Sequence, residues 1–170
     1  MHPRVSAPCR PSPQRAGRTP RHVSRSGPKR EIPVSNSRTK TAIVPASHSG
    51  SAGPYSPGSR KGNILQTAGQ LGLPPGAPHL RSADQYPNLA TQVLQALDNV
   101  TAVLAEAGSG WADVIMVRAH LTDTAHFREF NTLYSEYLAT EKGSLPSRTT
   151  VYVGLPAGCL VEIDALAVLG

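Results

Sequence analysis

The spacing of apolar residues changes repeatedly between residues 89 and 168, and that alternation limits the fold more than any single motif. Leu89, Val93, Leu97, Val100, Val103 and Leu104 recur every three or four residues, as one face of a helix requires. Gly108 and Gly110 follow and stop it in the manner of a C-terminal glycine cap. The period then drops to two over Val114–Leu121. Val114, Met116, Arg118 and His120 fall on one face of that strand, and Ile115, Val117, Ala119 and Leu121 on the other. Asp123 offers the N-cap of a second helix, with Phe127, Phe130, Tyr134, Tyr137 and Leu138 on its inner side and Gly143 at its end. Strands over 148–154 and 160–168 finish the chain.

Upstream, Ala42-Ile43-Val44 reads as a first strand. Residues 53–58 are rich in turn formers and lead through a hairpin-like turn, Arg60-Lys61-Gly62-Asn63, into a strand at Ile64–Ala68. Leu71 to Asp84 reads as a loop. The order β-β-β-α-β-α-β-β predicts an α+β domain of two layers, a mixed sheet with both helices on one face. On the last strand Val161, Ile163, Ala165 and Ala167 form the apolar stripe for those helices. The opposite stripe, Leu160, Glu162, Asp164, Leu166 and Val168, is still half apolar, which predicts sheet-to-sheet association in a symmetric oligomer.

The net charge of +6 suggests nucleic-acid binding until it is located. Residues 1–45 hold ten Lys/Arg against one acid, and the remaining 125 residues seven against ten. The same N-terminal stretch has eight of the sixteen prolines and no aromatic residue. Such a segment cannot bury enough apolar surface to offset its ordering entropy, so residues 1–40 are expected to be a disordered basic extension and 41–170 the domain. Three roles compete for the extension. It is an organellar targeting segment, weakened by prolines that forbid an amphipathic helix; or a phosphate-attracting arm without stacking residues; or the product of a mis-assigned start. No apolar run approaches the roughly 20 residues that span a bilayer. With no secretory segment and two cysteines that make no framework, a cytoplasmic setting is expected, ahead of organellar import.

Chemistry is narrowed by what the chain lacks. Neither phosphate-binding glycine motif occurs, no Ser sits in a nucleophile elbow, and the six His show no ligand spacing with Cys or acids, so no metal is expected. What stands out is charge inside strands. Arg148 lies in Pro146-Ser147-Arg148-Thr149-Thr150-Val151, and Glu162 and Asp164 lie in Val161-Glu162-Ile163-Asp164-Ala165. Charges there are costly unless paired or bound to a ligand. Arg148 therefore either pairs with Glu162 or Asp164, or offers its planar fork to a ligand carboxylate. Pattern alone does not choose between these.

Those two motifs, together with Gly53-Pro54-Tyr55, Thr67-Ala68-Gly69-Gln70, Leu97-Asp98-Asn99-Val100 and Phe130-Asn131-Thr132-Leu133-Tyr134, resemble in kind and order the RidA/YjgF family over residues 41–169. These are reactive-intermediate deaminases, also labelled L-PSP endoribonucleases. The resemblance implies a chorismate-mutase-like fold and a homotrimer with clefts between subunits. It implies hydrolysis of 2-imino acids such as 2-iminobutanoate and 2-iminopropanoate to 2-oxo acids and ammonia, with no cofactor. In such a site Arg148 holds the substrate carboxylate and Glu162 engages the attacking water. Tyr55, Gly69, Asn131 and Thr150 line the cleft, Tyr55 from a neighbouring subunit. Departures fall at Ala68, where many members have Ser, at Thr150, where some have Cys, and at Asp164, where Glu is common. Two alternatives are carried forward. One is a member that binds small carboxylates or acts on another C–N bond. The other is an RNA-directed protein, which the net acidic domain argues against.

Overall fold

The computed structural model describes residues 39–47, 53–75, 86–141 and 143–170, all within one compact unit, Ile32–Gly170. The expectations for residues 1–38, Cys9 included, lie outside the described residues, as does most of the loop expected before Asp84.

Among the described residues, seven strands form one sheet. They are β1 (Thr41–Ile43), β2 (Gly58–Lys61), β3 (Ile64–Thr67), β4 (Gln70–Leu71), β5 (Val114–Leu121), β6 (Ser147–Tyr152) and β7 (Val161–Val168). Two helices, α1 (Leu89–Glu106) and α2 (Phe127–Ala139), cover one face. The spatial order is β1-β2-β3-β7-β5-β6, with β4 also paired to β7. Only β5 and β6 run parallel, because α2 connects them as a crossover. This is the mixed two-layer arrangement expected from the element order, and it is chorismate-mutase-like.

The core forms as the spacing predicts. Val93, Leu97, Val100, Val103 and Leu104 of α1 are fully buried against Val161, Ile163, Ala165 and Ala167 of β7 and Val117, Ala119 and Leu121 of β5. Asn88 caps α1 by accepting the amide of Thr91, and Gly108 turns the chain away at φ 71°.

Four local expectations need correction. Residues 58–61, taken as part of a turn, are strand β2; the turn is confined to Gly62–Asn63, with Gly62 at φ 61°. Gln70–Leu71 add a short strand that reaches into the segment read as a loop. Val114 does not share a face with Met116. A bulge between them puts Val114 in the core and leaves Ile115 half-exposed at 51%. Asp123 caps a 3-10 turn at Thr124–His126 that runs into α2, whose buried stripe is Phe130, Tyr134 and Leu138 at four-residue steps. Phe127 precedes that stripe by one turn and is 39% exposed.

Candidate functional site

Arg148 sits on β6, the free edge of the sheet. Its register partner on β5 is Val117, so its side chain points to the helix side. There α2 supplies a seat from one helical face. The guanidinium carbon lies 4.6 Å from the centroid of the Tyr134 ring and 5.1 Å from that of Phe130. Nη2 donates a short hydrogen bond to Oδ1 of Asn131. Stacking and hydrogen bonding fix the plane of the fork. Burial pushes the Tyr134 hydroxyl above its ordinary value, and the Arg148 charge opposes that shift. Thr150 follows two residues later, half-buried and on the same side of the strand.

Glu162 occupies a different corner. Its register partners are Leu71 on β4 and His120 on β5, which puts it on the face that the helices do not cover. Pairing runs from Gln66↔Leu166 to Gln70↔Ile163, four steps on one side against three on the other, so Ala68–Gly69 form a bulge beside β7. The Glu162 carboxylate rests in the space that a Cβ on Gly69 would fill. Only glycine leaves that space open. The amide of Ala68 donates to the carbonyl of Pro57 at 2.8 Å, which ties the turn carrying Tyr55 to this corner. Tyr55 itself is 55% exposed. Cys159, buried in the preceding turn, has its thiol pushed up by burial and by the Glu162 charge, with a Tyr86 hydrogen bond opposing.

The six residues singled out in the sequence thus fall into two groups. Arg148, Asn131 and Thr150 form one, and Tyr55, Gly69 and Glu162 the other. Within one chain the groups do not meet: β5 separates β6 from β7, and Arg148 and Glu162 project from opposite faces. The pairing considered for Arg148 is absent as well. Among the described residues the ion pair is Arg118–Asp164, with Arg118 Nη2 at 2.7 Å and Nε at 2.8 Å from Oδ1. Gln66 Nε2 donates to the same oxygen at 3.0 Å. Asp164 is 7% exposed and fully committed, while Arg148 and Glu162 have no ion-pair partner among the described residues. Sequence reasoning passed over Arg118, although its place in alternation with His120 on the open face was the available signal. It also passed over Phe130 and Tyr134 as the seat of Arg148, having assigned them to the core alone.

Comparisons with known proteins bear on the family and the fold. A family described as Endoribonuclease L-PSP matches residues 46–169. A RutC family protein of Synechocystis is 37% identical over 131 residues, 76% of this chain and 94% of that protein. The 2-iminobutanoate/2-iminopropanoate deaminase of Escherichia coli is 31% identical over 117 residues, 68% of this chain and 88% of that enzyme. Among solved structures, E. coli TdcF with bound serine superposes with a TM-score of 0.69 at 27% identity, covering 76% of this chain and 99% of that one. The E. coli YjgF gene product gives a TM-score of 0.68 at 29% identity, covering 75% and 98%.

Proposed function

The chain belongs to the RidA/YjgF (L-PSP endoribonuclease) family, and from that premise we propose that it hydrolyses 2-imino acids to 2-oxo acids and ammonia. The observation that carries the reading is the state of the two charged groups. Arg148 is held over two rings with one hydrogen bond to Asn131, Glu162 is held against Gly69, and neither has an ion-pair partner among the described residues. A guanidinium fixed in this way suits a substrate carboxylate. An unpaired carboxylate on a neighbouring wall suits a water molecule.

Because one chain keeps the groups apart, the site is completed by a second copy, and a homotrimer with three clefts is the assembly proposed. The uncovered sheet face supports this. By register it carries the exposed apolar side chains Ile64 and Val151 as well as the Arg118–Asp164 pair. In each cleft one copy supplies Arg148, Asn131 and Thr150, and its neighbour supplies Tyr55, Gly69 and Glu162. Arg148 binds the carboxylate of the imino acid. Glu162 takes a proton from water as its oxygen attacks the C=N carbon and passes it to the nitrogen; it then moves the remaining hydroxyl proton to the amino group, so that ammonia leaves as the C–N bond breaks and the carbonyl forms. The uncatalysed reaction already proceeds, so positioning together with general-base help of roughly 10²–10⁴-fold is sufficient. Iminobutanoate and iminopropanoate, named for the E. coli relative, are the first substrates to try. The serine bound to TdcF is in keeping with a site for small amino-acid-like carboxylates.

The test follows imine lifetime by semicarbazide trapping behind a threonine dehydratase. Wild-type protein should shorten it; Arg148→Ala and Glu162→Gln should not. Mixed and reassembled, the two inactive variants should regain activity, since one cleft orientation then holds both native residues. Equal imine lifetimes with and without wild-type protein would remove the deaminase assignment. Failure of the mixed variants to complement would remove the shared cleft.

A further inference from the structure

His120 faces Glu162 directly across the β5–β7 ladder, on the uncovered face of the sheet. Opposed side chains of this kind have Cβ atoms about 4.5–5.5 Å apart. The His120 Nδ1 is buried and has no hydrogen-bond partner among the described residues. A buried ring nitrogen left unpaired is expensive and calls for an explanation. The charged and titratable neighbours on each packed element narrow the choice. On β5 the next residue on this face is Arg118, a donor already committed to Asp164. On β7 the candidates are Asp164, engaged by Arg118 and Gln66, and Glu162. The β6 neighbour in register is Val151, and the β4 residue beside Glu162 is Leu71; neither has a polar side chain. Glu162 is the one carboxylate on these strands not already engaged, and it stands directly opposite His120.

We propose that His120 is the positioning residue for Glu162, its imidazole donating Nδ1–H to the carboxylate when Glu162 swings off its seat at Gly69. Glu162 then has two defined rests on one wall, the Gly69 space and the His120 nitrogen. A carboxylate that must take a proton from water and give it back to nitrogen has to sample two positions, and a donor at the second one keeps it from wandering into solvent. The role rests on the hydrolytic function proposed above, but the pairing itself does not.

Two measurements separate the pair from the function. The first needs no substrate. Imidazole nitrogen shifts from long-range proton–nitrogen spectra of the full chain, assigned by difference from His120→Phe, should place the His120 proton on Nδ1 and lose that preference in Glu162→Leu. A proton on Nε2 in wild type, or no change in Glu162→Leu, overturns the pairing. The second measures imine hydrolysis. Asn places its amide nitrogen near the position of Nδ1, whereas Gln reaches toward Nε2. His120→Asn should stay within about threefold of wild type. His120→Phe and His120→Gln should lose roughly 10–100-fold in kcat, the size of one hydrogen bond to a charged group, with KM unchanged because Arg148 holds the substrate. Equal rates in all three variants, in protein that hydrolyses imines, overturn the positioning role and leave the deaminase reading standing. The Nδ1 tautomer in protein with no hydrolase activity overturns the function and the role together, and leaves only the pair.

Discussion

Gly69 and Gly72 lie three residues apart, and the same substitution should act on them in opposite ways. A methyl group at Gly69 would land on the Glu162 carboxylate, the far end of a flexible chain on a half-exposed residue. That carboxylate would have to retreat by more than an ångström to restore ordinary contact. A misplacement of about 1 Å at a reacting group can lower a rate by about 10²-fold. Gly69→Ala should therefore reduce kcat for imine hydrolysis about 100-fold and leave KM nearly unchanged, since Arg148 is untouched. Stability should move by less than about 1 kcal/mol. The alanine removes roughly 0.4–1 kcal/mol of unfolded-state entropy, and Glu162 can swing outward to relieve the contact. At Gly72 the methyl would strike the Cα and carbonyl oxygen of Gln92 in α1, which cannot swing. Gly72→Ala should destabilise by about 2–3 kcal/mol or more through overpacking. Urea unfolding gives the stabilities, and trapping behind a dehydratase gives the rates. A Gly69→Ala protein that is folded and within threefold of wild-type kcat would refute the reasoning. It would mean that Glu162 does not work from the place where the fold holds it.

Other outcomes follow from single contacts. Arg148→Lys should retain charge but lose the planar fork and the stacking on Phe130 and Tyr134, raising KM at least tenfold in the same assay. In a double-mutant cycle of Arg118→Met and Asp164→Asn, urea unfolding should give a coupling of about 1–2 kcal/mol, reduced from a buried pair because Arg118 is half exposed. Tyr137 is held neutral between Thr101 and Asp98, and burial raises its hydroxyl from 10.0 to about 12. The unfolded chain ionises first, so stability should fall as pH rises from about 10 to about 12. The loss should be roughly 1–2 kcal/mol after allowance for its partial exposure. Tyr137→Phe should flatten that slope in thermal melts, and an unchanged slope would sink the assignment.

The fold was legible because its core is written in two clean periods. The four apolar residues of β7 carry no polar interruption and the buried face of α1 only Gln92, so both spacing and facing could be read directly. Errors occurred where a residue is added or where an element is too short to show a period. The bulge at Val114–Met116 shifts one side chain between faces, and nothing in Val-Ile-Met announces it. Strand β4 is two residues long. Arg148 and Glu162 were legible as charges out of place, and Tyr55, Gly69, Asn131 and Thr150 through the family resemblance, but the grouping of the six was not. Alternation tells which face a strand residue takes only when the strand's own core face is known. On β6 every residue is at least partly exposed, so its sequence gave no hint that Arg148 points to the helices. The Arg118–Asp164 pair was hidden because cross-strand register between distant segments is a tertiary fact, set by the sheet and not by either strand.

The placement of β7 also governs how the protein is made. It follows the other six described strands along the chain, yet it lies mid-sheet between β3 and β5 and also pairs with β4. A nascent chain that has reached residue 150 owns both helices and the Arg148 seat but has no strand to bridge its two halves. Strands β1 to β3 can form only a small meander on one side, and β5 only a single parallel pair on the other. Long-range pairings of this type close late and leave apolar surface bare in the meantime. Assembly of the sheet, and with it the corner where Glu162 meets Gly69, is thus deferred until β7 emerges. A chain cut short of β7 would therefore lose the strand that joins the two halves of the sheet, not merely one of its edges.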